Sequence, residues 1–171
     1  MIKPNRIGSS IGVTISSDKQ EIKKGIEQGF KHDQELIIEP YLKGREFTVP
    51  VLGNADPQAL PVIEIVPKIS EFFDYRAKYE MGGTDEIVPA PIPNPLTEKL
   101  QDIAKSVHAL IGGRGITRSD FIVTKGGKIY FLEINTIPGM TENSLAPKSA
   151  AVAGITYNQL LDKLINLAMQ N

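Results

Sequence analysis

The chain contains no cysteine and only two histidines, and it carries almost no excess charge of either sign. Without cysteine there is no disulfide framework and no thiolate metal site, which fits a reducing compartment. Neither His32, at the end of a helical stretch, nor His108, beside an apolar stripe, has a nucleophile nearby in sequence, so histidine catalysis is not expected. With 19 Lys and Arg against 20 Asp and Glu the formal net charge is −1, so no overall positive field recruits nucleic acid and no acidic excess suggests disorder. The start, MIKPNR, has no apolar leader core, and no run reaches the roughly 18 apolar residues of a membrane span. The expectation is a soluble, cytoplasmic protein with a small-molecule partner and with neither nucleic acid nor membrane. The 171 residues suffice for one large domain or two small ones. Ile2-Lys3-Pro4 reads as the end of a strand entering a loop, which suggests a piece of a longer protein.

Periodicity supplies the elements. SSIGVTIS gives a short strand, then Ser17 and Gln20 in capping-box spacing open a helix to about His32 with Ile22, Ile26 and Phe30 on one face. ELIIEPYL, REFTVPVLG and ALPVIEIV read as three strands, the last two joined by the turn NADPQ. From Pro67 to Pro95 the chain is rich in Gly and Pro and poor in periodicity, longer than an ordinary connection, and reads as a functional lid. Asn94-Pro95 starts a helix with Leu96, Leu100, Ile103, Ala104, Val107, Leu110 and Ile111 as an apolar stripe. GITRSDFIVT and KIYFLEIN flank Gly126-Gly127, a hairpin signal. A short Ala-rich helix ends near Gly154, and a capped helix follows from Thr156 with Leu160, Leu161, Leu164 and Ile165 inward. Phe47, Phe121 and Phe131 are strand residues expected in the core.

The hairpin generates a definite geometry. If Gly126-Gly127 is a two-residue type I′ loop, Lys125 pairs with Lys128, and counting outward sets Asp120 opposite Glu133 and Arg118 opposite Asn135. All four side chains then share one face. Two directly opposed carboxylates repel unless a proton or cation lies between them, and carboxylate and amide oxygens suit Mg²⁺, which leaves its remaining positions to phosphate and water. Lys3 and the loop IGSSIG, Ile7 to Gly12, add a basic residue and small residues whose N–H groups could cradle phosphate. The opposed acids alone would also suit a hydrolase, but that reading leaves Asn135, Lys3 and Glu46 unexplained.

Taken in series, KP at Lys3-Pro4, GSSIGV at Gly8 to Val13, IIEPYLKGREFTV at Ile37 to Val49 and LPVIEI at Leu60 to Ile65 resemble the ATP-grasp carboxylate-amine ligases, closely the D-alanine-D-alanine ligases. FFDYRAKY at Phe72 to Tyr79, RSDF at Arg118 to Phe121 and EINTIPGMTENSL at Glu133 to Leu145 extend the likeness over nearly the whole chain, from Lys3 to about Ile165. Phe73 stands where that family commonly has tyrosine. The resemblance implies an α+β fold: an ATP-grasp lobe, mainly an antiparallel sheet backed by helices, with part of the central domain. Residues 1–53 would be the remainder of the central subdomain and 54–171 the C-terminal domain, with the lid at about 67–95. The family's N-terminal domain and the first half of its central domain are absent, and with them a second phosphate-contacting lysine and the site of the first D-alanine.

Residue by residue, the resemblance implies that Lys3 contacts nucleotide phosphate, Glu39 the adenine amino group and Glu46 the ribose. Asp120, Glu133 and Asn135 would bind two Mg²⁺, with Mn²⁺ as an alternative. Lys78 would reach the terminal phosphate of ATP, and Ser9 and Tyr79 would link the glycine-rich loop to the lid. Arg118 and the Gly139 N–H would hold the oxyanion, and Ser144 the carboxylate of the second D-alanine. Lys78-Tyr79, where D-lactate-using relatives carry a histidine, implies an amine acceptor. Implied partners are D-alanine and ATP, and apolar faces left uncovered without the N-terminal part suggest association of the chain into a homo-oligomer, a dimer or larger. The rivals to an active ligase of this kind are a fragment that binds Mg-ATP without turnover and another ATP-grasp ligase.

Overall fold

The computed structural model describes residues 1–8, 11–67 and 84–170. They fall into two compact units, one of Met1–Lys43 with the described residues of Val66–Asp85, the other of Gly44–Ile65 and Glu86–Asn171.

In the first unit, β1 (Ile2–Pro4) pairs antiparallel with β2 (Leu36–Ile38), Lys3 opposite Ile37. The strand expected at SSIGVTIS contracts, among its described residues, to one bridge between Thr14 and Ile2. Helix α1 (Lys19–Gly29) is capped by Asp18, whose carboxylate accepts the N–H groups of Gln20 and Glu21, so the cap lies one residue beyond Ser17. Its buried positions are Gly25 and Gly29, while Phe30 is exposed. The helix comes so close to its neighbours that a Cβ on Gly25 would lie 2.7 Å from Thr14 Cγ2. Ile22 and Ile26 of the expected face are half-buried beside these glycines, and only Phe30 leaves it.

The second unit is built on a sheet of order β6-β5-β3-β7-β8, with the two-residue β4 (Gln58–Ala59) on the end of β3. Its strands are β3 (Gly44–Leu52), β5 (Ile63–Pro67), β6 (Thr84–Ile87), β7 (Ile116–Thr124) and β8 (Ile129–Asn135). Both long neighbours of β3 run antiparallel to it, as β8 does to β7. Leu60-Pro61-Val62 breaks the expected strand ALPVIEIV into β4 and β5. β3 lies wholly in the second unit.

Alternation on β3 and β7 places Phe47, Val49, Val51, Phe121 and Val123 on one face, where they bury Leu100 and Ala104 of helix α2 (Asn94–Leu110). Full burial of side chains of this size is worth about 1.5–3 kcal/mol each. Helix α2 is capped from Pro93, with Asn94 and Pro95 as its first two residues. Its buried stripe continues through His108, while Leu110 and Ile111 are exposed. A second cluster joins Leu52, Leu60 and Ile116 to Ala146 and Ala150 of α3 (Leu145–Val152) and Leu160 of α4 (Tyr157–Ala168). A capping box between Thr156 and Gln159 starts α4 as the sequence predicts, but Ile165 faces solvent.

The β7–β8 hairpin differs from the expected one at two points. Its loop has three residues, Lys125–Gly127, closed by Thr124 N–H to Lys128 O at 3.0 Å and Gly127 N–H to Thr124 O at 2.8 Å. Gly127 takes the positive φ of 78° that a three-residue hairpin loop requires. The pairing therefore starts one residue out of the expected step, with Val123 opposite Ile129. A β-bulge then restores it, since Phe121 opposes Phe131 but Asp120 opposes Glu133. At the bulge Phe131 and Leu132 are both about half exposed, so Phe131 is not core, although its ring meets the buried Phe121 edge-on at 5.7 Å.

Candidate active site

Asp120 faces Glu133, and Arg118 faces Asn135, across the β7–β8 pair. On the other side of β7, Thr48 opposes Asp120, Pro50 opposes Arg118 and Glu46 opposes Ile122. Because Thr117, Ser119, Phe121 and Val123 point into the core, Arg118 and Asp120 project from the opposite face, together with Glu46 and Thr48. One sheet surface thus gathers three carboxylates, an arginine, an amide and a hydroxyl.

Their bonds are specific. Arg118 donates from Nε to Asp120 Oδ1 at 3.0 Å and from Nη2 to Oδ2 at 2.9 Å. Thr48 Oγ1 also donates to Asp120 Oδ1. Both side chains of the ion pair are largely shielded, at 17% and 14% exposure. Burial works to lower the Arg118 pKa, but the hydrogen bonds to Asp120 and the charges of Asp120, Glu133 and Glu46 outweigh it, leaving the group above its ordinary value. Asn135 Oδ1 accepts the N–H of Ile137 at 3.2 Å, which orients the amide at the strand end. Sequence reasoning missed Thr48. Its position two residues beyond Glu46 on the same strand face was the available signal.

The donor set fits a hard divalent cation. Among the described residues no three His, Cys, Asp or Glu side chains converge into an all-protein cage. Two opposed carboxylates with an adjacent amide oxygen are what Mg²⁺ takes when phosphate and water complete its shell.

Beyond β8 the chain turns through Gly139 into α3. A Cβ on Gly139 would lie 3.0 Å from Ser144 Oγ, so the glycine lets loop and helix start approach closely. Ser144 is the N-cap residue of α3, yet its hydroxyl makes no capping bond. It turns back to Thr141, accepting the N–H at 3.1 Å and meeting Oγ1 at 2.8 Å. The first turn of α3 contains no acid of its own either. Tyr157 supports the same loop from α4, donating to Met140 O at 2.7 Å, a contact that sequence gave no reason to expect.

In the first unit, Lys3 Nζ and Glu39 Oε1 form an ion pair at 2.8 Å. Next to it lies a cavity of about 700 Å³ lined by Ile15, Ile22, Ile38, Glu39, Pro40 and Tyr41 among others. Ser9, Lys78 and Tyr79, and the lid segment that carries the last two, lie outside the described residues.

Comparison with known proteins gives a consistent result. The family described as D-ala D-ala ligase C-terminus matches residues 1–166. A D-alanine--D-alanine ligase of Syntrophobacter fumaroxidans is 46% identical over 172 residues, covering 100% of this chain and 55% of that protein. Among solved structures, D-alanine--D-alanine ligase of Bacillus anthracis complexed with ATP superposes with a TM-score of 0.79 at 35% identity, over 98% of this chain and 51% of that one. The VanG D-Ala:D-Ser ligase of Enterococcus faecalis gives 0.83 at 38% identity, over 97% and 48%. The chain spans about half the length of the relatives it matches. With an ATP-grasp fold, a sheet face of opposed carboxylates and these matches along its length, the chain belongs to the D-ala D-ala ligase C-terminus family.

Proposed function

We propose that this chain is the ATP-grasp portion of an enzyme that joins two D-alanines at the expense of ATP, through a D-alanyl phosphate, to make a peptidoglycan precursor in the cytoplasm. The observation that carries the reading is the single sheet face on which Asp120 and Glu133 oppose each other beside Arg118 and Asn135. The relatives' names and the solved ATP complex support it.

In this reading Asp120, Glu133 and Asn135 hold Mg²⁺, two ions in the family pattern, with Mn²⁺ as an alternative. When bound, the metal neutralises phosphate oxygens that would otherwise repel an attacking carboxylate. Glu46 sits on the same face as the carboxylates and takes the ribose. Lys3 and Glu39 exchange each other for the nucleotide, phosphate on the lysine and the adenine amino group on the glutamate, with the adjoining apolar-walled cavity for the base. Lys78 is assigned to the terminal phosphate, and Ser9 and Tyr79 to the link between glycine-rich loop and lid.

The second step is attack of an amine on the acyl phosphate, which builds negative charge on the carbonyl oxygen. Arg118 and the Gly139 N–H are the donors assigned to that oxyanion. The Ser144 hydroxyl and the uncapped start of α3 take the carboxylate of the acceptor D-alanine, since a helix N-terminus without its own cap favours an anion. The enzyme works as a homodimer in this reading.

The test is nucleotide binding with and without Mg²⁺, followed by phosphate release in the presence of D-alanine, on the full-length protein that contains this sequence. Mg-dependent ATP binding and D-alanine-dependent phosphate release are expected. ATP binding without any turnover would replace the ligase with a non-catalytic Mg-ATP-binding protein.

A further inference from the structure

Helix α3 is short, and its packing is made by small side chains: Ala146 and Ala150 are buried against Leu52, Leu60, Ile116 and Leu160. With Pro147 the one larger side chain buried among the described residues of α3, such a contact fixes the depth of a helix well but resists sliding and rotation poorly. Two consecutive polar residues supply what the packing lacks. Ser149, fully buried, donates from Oγ to Pro61 O at 2.7 Å. Lys148 donates from Nζ to Glu86 Oε2 on β6 at 2.5 Å, with both side chains partly shielded from solvent. Lys148 lies one turn beyond Ser144, and its N–H bonds to Ser144 O at 3.0 Å. The tether is therefore attached to the turn that opens with Ser144.

The charge arrangement is unusual for a helix start. A lysine in the early part of a helix is opposed by the macrodipole, and no acid in the first turn of α3 compensates it. Glu86 supplies the compensation from another element. This makes the pair a tie between β6 and α3 instead of a local surface bridge.

The geometry points to Glu86 and Lys148 as positioning residues for the acceptor: their ion pair fixes the orientation of α3 and, through it, the Ser144 hydroxyl and the N–H groups of Leu145 and Ala146 at the helix start. This rests on the assignment of Ser144 and the α3 start to the acceptor carboxylate. Among the described residues neither side chain bonds to Asp120, Glu133 or Asn135, so loss of the pair should be felt by the acceptor alone.

The experiment is steady-state kinetics of the full-length protein with D-alanine and ATP, for Glu86→Gln, Lys148→Met and the exchange Glu86→Lys with Lys148→Glu. Each single change should raise the KM for the acceptor D-alanine by about fivefold or more, while the KM for ATP and kcat stay within about twofold. The exchange should bring the acceptor KM back, because it rebuilds the tie with the charges reversed. Equal acceptor KM in wild type and both single variants overturns the inference. Failure of the exchange to recover does so as well, since it would mean that the lysine charge acts on the carboxylate directly. Ser144→Ala separates the two levels: if it leaves the acceptor KM unchanged, the acceptor-site assignment fails, whereas a raised KM there with unaffected Glu86 and Lys148 variants rejects only the tether.

Discussion

Arg118 grips Asp120 with both arms of its guanidinium, at 3.0 and 2.9 Å, from two residues away on the same strand face. With Thr48 also donating to Oδ1, Asp120 accepts three side-chain hydrogen bonds, while Glu133 directly across from it has no hydrogen-bond or ion-pair partner among the described residues. Arg118 thus serves as the counter-charge of the cluster, and a cation arriving at Asp120 must share or displace it.

This competition has a measurable sign. In the full-length protein, Arg118→Met should bind Mn²⁺ alone about tenfold more tightly than wild type, because charge-assisted bonds worth roughly 1.5–3 kcal/mol no longer oppose the metal. Asp120→Asn and Glu133→Gln should bind it more weakly, since each removes a charged oxygen ligand. Calorimetric titration with nucleotide absent reads both effects. A weaker Mn²⁺ affinity in Arg118→Met would show that the guanidinium organises Asp120 for the metal instead of competing for it.

The bulge at Leu132 allows a sharper test of the register. Removing Leu132 would leave Phe131 opposite Phe121 and set Glu133 next in line opposite Asp120, so the constellation and the fold should survive with a modest loss of stability. Removing Ile134 instead would bring Asn135 opposite Ser119, on the buried face, and strip Arg118 of its cross-strand partner. Mn²⁺ affinity should persist in the first deletion and collapse in the second. Similar affinities in both would mean that Asn135 has no part in the site.

These two residues also mark how far the sequence could be read. Alternation and the Gly-Gly turn led to the right opposition of Asp120 and Glu133, although the turn is one residue longer than expected, because the bulge cancels the difference. Neither feature has a compositional signature strong enough to be found in one sequence. Helix stripes were legible where residues recur at intervals of four, as at Leu100 and Ala104, and failed where the next member, His108, is polar and Leu110 and Ile111 lie off the buried line. On α1 periodicity found the inward side through Ile22 and Ile26, but the most deeply buried positions are Gly25 and Gly29, which carry no hydrophobic signal. Thr48 and Tyr157 escaped notice because a hydroxyl gains its role only from tertiary neighbours.

Arg45 and Glu64 form a forked pair at 2.6 and 2.7 Å, with the guanidinium stacked 5.1 Å from the Phe47 ring centroid. Their exposures differ, 48% for the arginine side chain and 9% for the glutamate. Removing the arginine strands a buried charge, while removing the glutamate leaves a cation that water can reach. Arg45→Met should therefore cost about 2–3 kcal/mol and Glu64→Gln clearly less, as judged from denaturant midpoints. The reverse order would imply that Glu64 finds solvent or another partner when the arginine is gone.

His108 gives the protein an acid-side weakness. It is fully buried, its Nδ1 lies 2.8 Å from Thr117 Oγ1, and its Nε2 has no hydrogen-bond partner among the described residues. Burial lowers its pKa below the ordinary histidine value, with the backbone of Gly53 and Gly113 offsetting this only in part. In the unfolded chain the ring titrates at about 6.5. Below that pH the unfolded state takes up a proton that the folded state resists, so the contribution of neutral His108 is complete above about pH 6.5 and is lost as pH falls towards the lowered folded value. Each unit of separation between the two is worth about 1.4 kcal/mol. The thermal midpoint should therefore fall between about pH 7 and pH 5 by more in wild type than in His108→Gln, which cannot be protonated but can still reach Thr117. Parallel pH profiles for the two would mean that the buried imidazole accepts its proton without opening the core around Thr117.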